Sequence, residues 1–385
     1  MQKSDQRILT THVGSLPRVP ILRDLLKQRE EGMAVDNDIL KLETDAAVSR
    51  VVKEQLEAGI DIGNNGEQPR VGFSTYVATR MEGFGGESPR PLSIDAEEFP
   101  DHASILNEQR RHSSRVNVTH RAEAEVRYVD LTEAKDECDQ FIELCDQADG
   151  AFLERFMTAA SPGIVATTMM NHYYNSHQDY VDALARGMQR EYELIHSNGL
   201  LLQIDCPDLA MERTRFFKDN SVSEFQDVVR MHIDAINRAV ANIPSDQIRL
   251  HVCWGNTNSP HIHDVPLETI LPILYEANVG ALSIELANPR HQHEYKVFKS
   301  YPMPESMILL PGVIDSTTNY VEHPEVIADR ITQVVEAVGD RTRVIASVDC
   351  GFGTFAGSEA VAPSVVWSKF RALQEGAQIA TERLW

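Results

Sequence analysis

Short apolar runs alternate with longer segments of helical periodicity along most of the chain. Eight such runs start near Ile8, Ile60, Phe152, Leu200, Arg249, Ala281, Met307 and Val344. Strand–helix alternation is typical of a parallel sheet with helices outside it. Eight repeats of it predict an α/β fold of the (β/α)₈ TIM-barrel class. A doubly wound sheet is the competing architecture.

Helical spacing is clearest in four segments between the runs. One covers about residues 37–58, one follows Asp179, and one follows Ser221. The fourth is HPEVIADRITQVVEAVG, in which Pro324 suits a first helical turn and Gly339 suits the end of a helix.

The stretch from about residue 70 to residue 150 interrupts this rhythm. It is polar and far longer than an ordinary connection between barrel elements, with some helix expected near 131–147. We interpret it as an insertion after strand two of a single catalytic barrel domain that spans residues 1–385.

Composition limits the partners that the protein can have. The chain is 42% hydrophobic and 24% charged with a net charge of −22, so nucleic acid and anionic membranes are poor partners. The N-terminus has no apolar signal region and no stretch reaches spanning length, which makes the cytoplasm the expected location. Five scattered cysteines indicate reduced thiols and no disulfide framework.

Polar side chains end nearly all of the apolar runs. These strand ends carry Ser15, Glu67, Asp205, His251 with Cys253, Glu285 with Asn288, Asp315 and Cys350. A charged residue at the end of a buried strand costs desolvation unless it is paired or bound. In a barrel the carboxyl ends of the strands share one face, so the pattern predicts a functional site there.

A metal site is one interpretation of the segment HVCWGNT. His251 and Cys253 lie two residues apart in a strand and therefore point to the same face. Glu285 ends the next strand and Cys350 ends the eighth, and two thiolates, one imidazole and one carboxylate suit Zn²⁺. The other interpretation is two cysteines packed as small hydrophobic residues and a histidine bonded to backbone. Spacing alone leaves both open.

The chain resembles the catalytic barrel of cobalamin-independent methionine synthase and its single-barrel relatives. The resemblance runs from HVGSLPR near the start to DCGFGTF near the end, which is essentially the whole chain. It implies a zinc ion held by His251, Cys253, Glu285 in LSIELANP and Cys350 in SVDCG.

The same resemblance implies a homocysteine site. Backbone and hydroxyl contacts would come from Val13, Gly14 and Ser15, and ammonium contacts from Glu67 in NNGEQPR and Asp205 in LQIDCPDLA. We further expect Arg18 to meet a carboxylate or sulfonate. Structural roles compete with each of these assignments: a salt bridge to Arg70 for Glu67, a helix cap for Asp205, and a rim salt bridge for Arg18.

The function that follows is zinc-dependent alkyl transfer to a small thiol, foremost methyl transfer to homocysteine through a zinc-bound thiolate. The partners would be a small-molecule thiol and an alkyl donor, and a homo-oligomer is compatible with the sequence. Glu285, as the weakest ligand, would loosen when the thiol binds. One alternative opens an epoxide with a thiol, as in epoxyalkane:coenzyme M transferases. Another is a metal-free decarboxylase-like or binding barrel. The acids Glu67 and Asp205 favour homocysteine, because coenzyme M has no ammonium group.

Two departures from the family pattern bear on the donor. Thr317, in GVIDSTTNYVEHP, stands where the synthases have a histidine that helps to protonate the leaving folate. The folate region after strand three is replaced by MMNHYYNSHQDY, whose His172, Tyr173 and Tyr174 either line a different pocket or pack on the barrel rim. We therefore expect a donor other than a folate polyglutamate.

Overall fold

The fold is described from a computed structural model of the chain, in which residues 1–109, 113–114 and 118–385 are described. Within these ranges the strands are β1 Leu9–Thr10, β2 Ile62–Gly63, β3 Glu82–Pro89, β4 Val118–Arg127, β5 Glu154–Ala160, β6 Leu201–Asp205, β7 Ile248–Val252, β8 Ala281–Ile284, β9 Ile308–Pro311 and β10 Ile345–Ala346.

Eight of these strands form a closed parallel ring. Strands β2, β5, β6, β7, β8 and β9 pair in that order, and β1 pairs with β10. Parallel bridges join Thr11 to Ile62 and Gly312 to Ser347, which connect β1 to β2 and β9 to β10. The predicted (β/α)₈ barrel is confirmed, and each of the eight predicted runs overlaps one of its strands.

The inward side of the barrel changes from apolar to polar along the strands. Its lower layer is a buried cluster of Leu9, Ile62, Phe156, Leu201, Ala281, Ile308, Leu310 and Ile345. Because side chains two apart share a face, Gln203 and Asp205 follow Leu201 on the inside of β6. The apolar layer closes the bottom of the barrel, and the polar layer above it forms the floor of the site.

The described chain contains thirteen α-helices. They are α1 Pro20–Glu30, α2 Asn37–Glu57, α3 Val77–Arg80, α4 Ile94–Glu98, α5 Pro100–Gln109, α6 Thr132–Asp146, α7 Pro162–Thr168, α8 His177–Ser197, α9 Val222–Ala239, α10 Leu267–Leu274, α11 Val297–Ser300, α12 Pro324–Val338 and α13 Pro363–Leu384. Of these, α2, α8, α9 and α12 are the four predicted between the apolar runs. Ser221 and Glu224 form a capping box at the start of α9, and Gly339 ends α12 with a left-handed φ of 80°. In the part of the chain that is described, no helix combines the length and apolarity needed to cross a bilayer.

The stretch between β2 and β5 contains an antiparallel hairpin that the sequence pattern did not predict. Strands β3 and β4 pair there, with α4 and α5 between them. Three glycines and an exposed surface in β3 removed the alternation by which a strand is recognised. The helix expected near 131–147 is present as α6, which packs against α2 and α8 as an outer helix of the barrel.

Candidate active site

Three donor residues converge at the carboxyl end of the barrel. His251 lies in β7, Cys253 follows that strand, and Cys350 follows β10. Their ligand atoms all lie within 4.8 Å of one another, and the two Sγ atoms are 3.9 Å apart. All three side chains are buried. The barrel therefore brings together residues that are about a hundred positions apart in the chain.

The arrangement of these side chains fits a metal ion. The Nδ1 atom of His251 lies 3.2 Å from Ser283 Oγ, which orients the ring. Its Nε2 atom is buried and has no hydrogen-bond partner among the described residues. A ligating histidine typically has one ring nitrogen held by a neighbour and the other directed at the metal. One nitrogen and two sulfur donors match the preference of zinc.

The pKa values of the two cysteines are shifted in opposite directions. The pKa of Cys253 is held well below its ordinary value by its hydrogen bond with Cys350, with further help from His251 against the effect of burial. That same bond, together with burial, raises the pKa of Cys350 well above its ordinary value. The lowered pKa favours the thiolate form of Cys253, and the thiolate is the form that binds metals.

Glu285 lies beside this group but outside it. Its Oε2 atom accepts a hydrogen bond from the Trp254 backbone N–H at 3.1 Å, and its Oε1 atom accepts one from Asn288 Nδ2 at 2.9 Å. Burial raises the pKa of Glu285 to about 7, and the charge on Cys253 adds to this effect. The structure brings three of the four predicted ligands together and holds the fourth on two other donors.

A pocket with an empty volume of about 760 Å³, part of it open to solvent, lies over the three donors. Four of the residues expected to bind the thiol substrate line it together with the donors: Val13, Ser15, Glu67 and Asp205. The remaining wall includes apolar side chains, among them Phe73, Met211 and Phe355. Mixed walls of this kind, with a few converging polar groups, are typical of small-molecule sites.

Glu67 has an unusual backbone conformation and an unpartnered oxygen. Its φ is 53°, directly after Gly66 with φ 66°, and a left-handed glutamate is strained. Its Oε1 atom accepts a hydrogen bond from Thr158 at 2.9 Å, whereas its buried Oε2 atom has no partner within the described chain. Burial raises the pKa of Glu67, although the nearby Arg70 and Arg18 oppose this rise.

Asp205 ends β6 and accepts a hydrogen bond from Gln203 Nε2 at 2.9 Å. Burial raises its pKa to about 7, while the charge of His251 opposes the rise. The short 3₁₀ helix that follows, Pro207–Leu209, has no side-chain cap. Asp205 therefore does not act as a side-chain cap of this helix, which was the alternative role.

Arg18 lies behind the pocket wall and not on it. The guanidinium donates to the carbonyl oxygens of Gly353 at 2.6 Å and Glu67 at 2.7 Å, and the side chain is buried. This places Arg18 as a support for the strained backbone of Glu67. Its contact with an anionic substrate group stays a prediction that the geometry does not favour.

Gly14 allows the first strand to pass close to Glu67. A Cβ atom at this position would lie 2.6 Å from Thr158 Cγ2 and 3.0 Å from Glu67 Oε1, and the φ of Gly14 is 148°. Any larger residue would push against the two side chains that define this end of the pocket.

The residues that depart from the family pattern pack elsewhere. Thr317 donates its hydroxyl hydrogen to Asp315 at 2.8 Å. Tyr174 accepts a hydrogen bond from the Val126 backbone and stacks on Tyr180. Thr317, His172, Tyr173 and Tyr174 are all outside the set of residues that lines the pocket. For the tyrosine segment, packing on the rim against β4 is the arrangement present.

The pocket residues that were not anticipated from sequence include Phe73, Arg90, Met211, Arg215 and Phe355. They come from the stretch after β2 and from loops after β6 and β10, so no strand-end pattern marks them. One usable signal was the sequence SPRP, because Arg90 between two prolines has a restricted backbone.

Comparison with known proteins identifies the family. The family described as cobalamin-independent synthase, catalytic domain, matches residues 163–366, which is more than half of the chain. A methionine synthase from Saccharolobus islandicus is 22% identical over 97% of this chain and 95% of its own length. One from Thermococcus kodakarensis is 24% identical over 89% of this chain and 86% of its own length.

The fold has a close solved counterpart. A B12-independent methionine synthase from a Shewanella species, in complex with selenomethionine, superposes with a TM-score of 0.74 at 18% identity. The alignment covers 98% of this chain and 99% of that one. The chain belongs to the cobalamin-independent synthase family, with a match to its catalytic domain.

Proposed function

We propose that the protein transfers a methyl group to the sulfur of homocysteine and so forms methionine, with zinc bound by His251, Cys253 and Cys350. The observation that carries the proposal is the pocket itself. It places a buried nitrogen and two sulfurs beside the carboxylates of Glu67 and Asp205. That combination suits a ligand with both a thiol and an ammonium group.

The chain's own groups would bind and orient the amino acid. Glu67 offers a buried, unpartnered oxygen to the ammonium, and Asp205 adds a second carboxylate on the same wall. The backbone around Val13 and Ser15 would meet the carboxylate. Holding the sulfur and the methyl carbon in line is the main contribution of such a site.

A bound zinc ion would act as a Lewis acid that keeps the thiol deprotonated at neutral pH. We propose Glu285 as the fourth and most weakly held ligand. The Trp254 N–H and the Asn288 amide are the partners with which its oxygens would exchange. A carboxylate that has alternative partners can leave and return at little cost, which suits a position that a substrate sulfur must take.

The other two functions considered are less well supported. Epoxide opening with coenzyme M would leave the two pocket carboxylates without an ammonium partner. A metal-free barrel would leave the converging donors without a role. The family match and the methionine synthases among the relatives both favour methyl transfer to an amino-acid thiol. A cytoplasmic location and a donor other than folate polyglutamate stay predictions.

The proposal is tested by product formation. Zinc-loaded protein is incubated with homocysteine and a panel of methyl donors, and methionine is measured by mass spectrometry. Cys350→Ser serves as the matched variant, since it changes one atom at the metal site. We expect methionine from the wild type with at least one donor, and almost none from the variant. Equal product from both proteins would contradict the role of the metal site.

A further inference from the structure

The pocket has a cationic wall that the proposed thiol contacts do not use. Arg90 and Arg215 both line it, in a chain whose net charge is −22. Arg90 lies just after β3, in the stretch between the second and third barrel strands, and Arg215 lies in the loop after β6. Neither position belongs to the strand ends that hold the metal donors, Glu67 or Asp205.

Arg90 is buried and incompletely paired. Its side chain is only 7% exposed, and one terminal nitrogen is held by the fully buried Glu212. Its Nε atom has no hydrogen-bond partner in the described part of the chain. Arg90 lines the pocket, and guanidinium groups bind carboxylates through planar pairs of N–H donors, so this buried and incompletely paired side chain suits an anionic ligand.

Arg215 lies where the pocket meets a second cavity. It donates to the carbonyl oxygen of Pro91 at 3.1 Å, which fastens the segment that carries Arg90 over the barrel mouth. Arg215, Met211 and Gly255 line both the pocket and the neighbouring cavity below α4 and α5. The two cavities therefore adjoin at these residues, next to the arginine side of the pocket.

An aromatic pair adds a second recognition element. Phe73 and Phe355 both line the pocket and meet edge to face, with ring centroids 5.5 Å apart. Aromatic rings attract cations that are poorly hydrated, such as quaternary ammonium and sulfonium groups. The wall thus combines sites for a soft cation and for an anion.

We propose that the methyl donor is a small onium carboxylate, whose carboxylate binds Arg90 and Arg215 and whose cationic centre packs against Phe73 and Phe355. This inference rests on the proposed function. The thiolate sulfur attacks a methyl carbon, the S–C bond forms, and the bond from that carbon to nitrogen or sulfur breaks. Its electron pair stays on the leaving atom, so a neutral amine or thioether departs without needing a proton.

The test uses donors that differ in one group. Zinc-loaded wild-type protein, saturated with homocysteine, is assayed for methionine with glycine betaine, with dimethylsulfoniopropionate and with choline, which keeps the quaternary ammonium but lacks the carboxylate. Methylcobalamin and methyltetrahydrofolate triglutamate complete the panel. We expect one of the two onium carboxylates to be the best donor, which also distinguishes ammonium from sulfonium. Glycine betaine should bind at least about tenfold more tightly than choline, the loss expected for a charge-assisted hydrogen bond.

Variants locate the effect in the pocket. In Arg90→Gln the preference for betaine over choline should fall severalfold, because only Arg215 is left to bind the carboxylate, while homocysteine affinity, measured by calorimetry, stays unchanged. Arg121→Gln is the matched control and should behave as the wild type, because this half-buried arginine of β4 pairs with Glu123 and does not line the pocket. If Arg90→Gln does not fold, Arg90→Lys and the wild-type comparison of the two ligands decide the question.

The inference and the proposed function fail in different ways. Equal binding of betaine and choline to the wild type, or a corrinoid or folate as the best donor, would overturn the onium carboxylate while homocysteine binding remained intact. If homocysteine itself does not bind, the proposed function is wrong.

Discussion

Replacing Glu67 by glutamine tests whether the pocket binds an ammonium group. The substitution keeps the size of the side chain and the oxygen that accepts the Thr158 hydrogen bond at 2.9 Å. It replaces the unpartnered, buried Oε2 atom by an uncharged amide NH₂, which cannot accept a hydrogen bond from an ammonium group. The predicted loss is therefore confined to a charge-assisted contact with the substrate.

The size of the effect follows from the burial of that oxygen. A hydrogen bond to a charged group contributes about 1.5–3 kcal/mol, and about 1.4 kcal/mol corresponds to a factor of ten in affinity. Because the site is buried, the upper part of this range is accessible, and we expect homocysteine affinity to fall roughly tenfold to 150-fold. Asp205→Asn should act in the same direction, and zinc content should not change in either variant.

The assay compares two thiols by calorimetry at pH 7.5. Homocysteine carries the ammonium group, and 4-mercaptobutyrate is the same chain without it. The wild type should prefer homocysteine, and Glu67→Gln should lose most of this preference. Burial raises the pKa of Glu67, so the wild-type preference should be present above that raised pKa and decline as the pH falls through it. An unchanged preference in both Glu67→Gln and Asp205→Asn would refute the ammonium site and direct attention to coenzyme M.

Three further predictions concern the metal, the stability and the donor. Cys253→Ser and Cys350→Ser should each lose nearly all zinc by elemental analysis, and full retention in both would show that the metal binds elsewhere. Burial opposes protonation of His261 and His291, yet their hydrogen bonds to Asp264 raise the pKa to about 9 and about 10, above the unfolded value of about 6.5. This pair therefore stabilises the fold fully below about pH 6.5 and loses that contribution as the pH rises through 9 to 10. In urea unfolding, Asp264→Asn should lose less stability between pH 7 and pH 10 than the wild type does. An equal loss in both proteins would contradict the role of this histidine pair. Methyltetrahydrofolate triglutamate should be a poor donor, and its clear superiority in turnover would show that another acid replaces the missing histidine.

The barrel could be predicted because its strands and helices are marked locally. The inward positions of β6 and β7 are buried from end to end, and α9 carries its own capping box. The β3–β4 hairpin could not be predicted in this way. Its glycine-rich first strand is exposed, so its pairing depends on β4 and on the rim against which it packs.

The site was predictable to the extent that its residues end strands. His251, Cys253 and Cys350 stand at positions that the barrel geometry brings to one face. The hydrogen-bond partners of the site residues could not be predicted in the same way. Glu285 is held by the Trp254 N–H, and Arg18 by two carbonyl groups. These hydrogen bonds depend on loop conformations that residue spacing does not predict. Arg90 reaches the pocket only because the segment that carries it is fastened across the barrel mouth.

The most direct test of the account is X-ray absorption at the zinc edge, recorded with and without homocysteine. In the proposed zinc site Cys253 and Cys350 are two sulfur ligands, so the resting protein should show two sulfurs at about 2.3 Å and lighter atoms in the remaining positions. Addition of homocysteine should raise the count to three, because the substrate thiolate takes the place of a weaker oxygen ligand. A sulfur count that stays the same when homocysteine is bound would contradict activation of the thiol at this metal site.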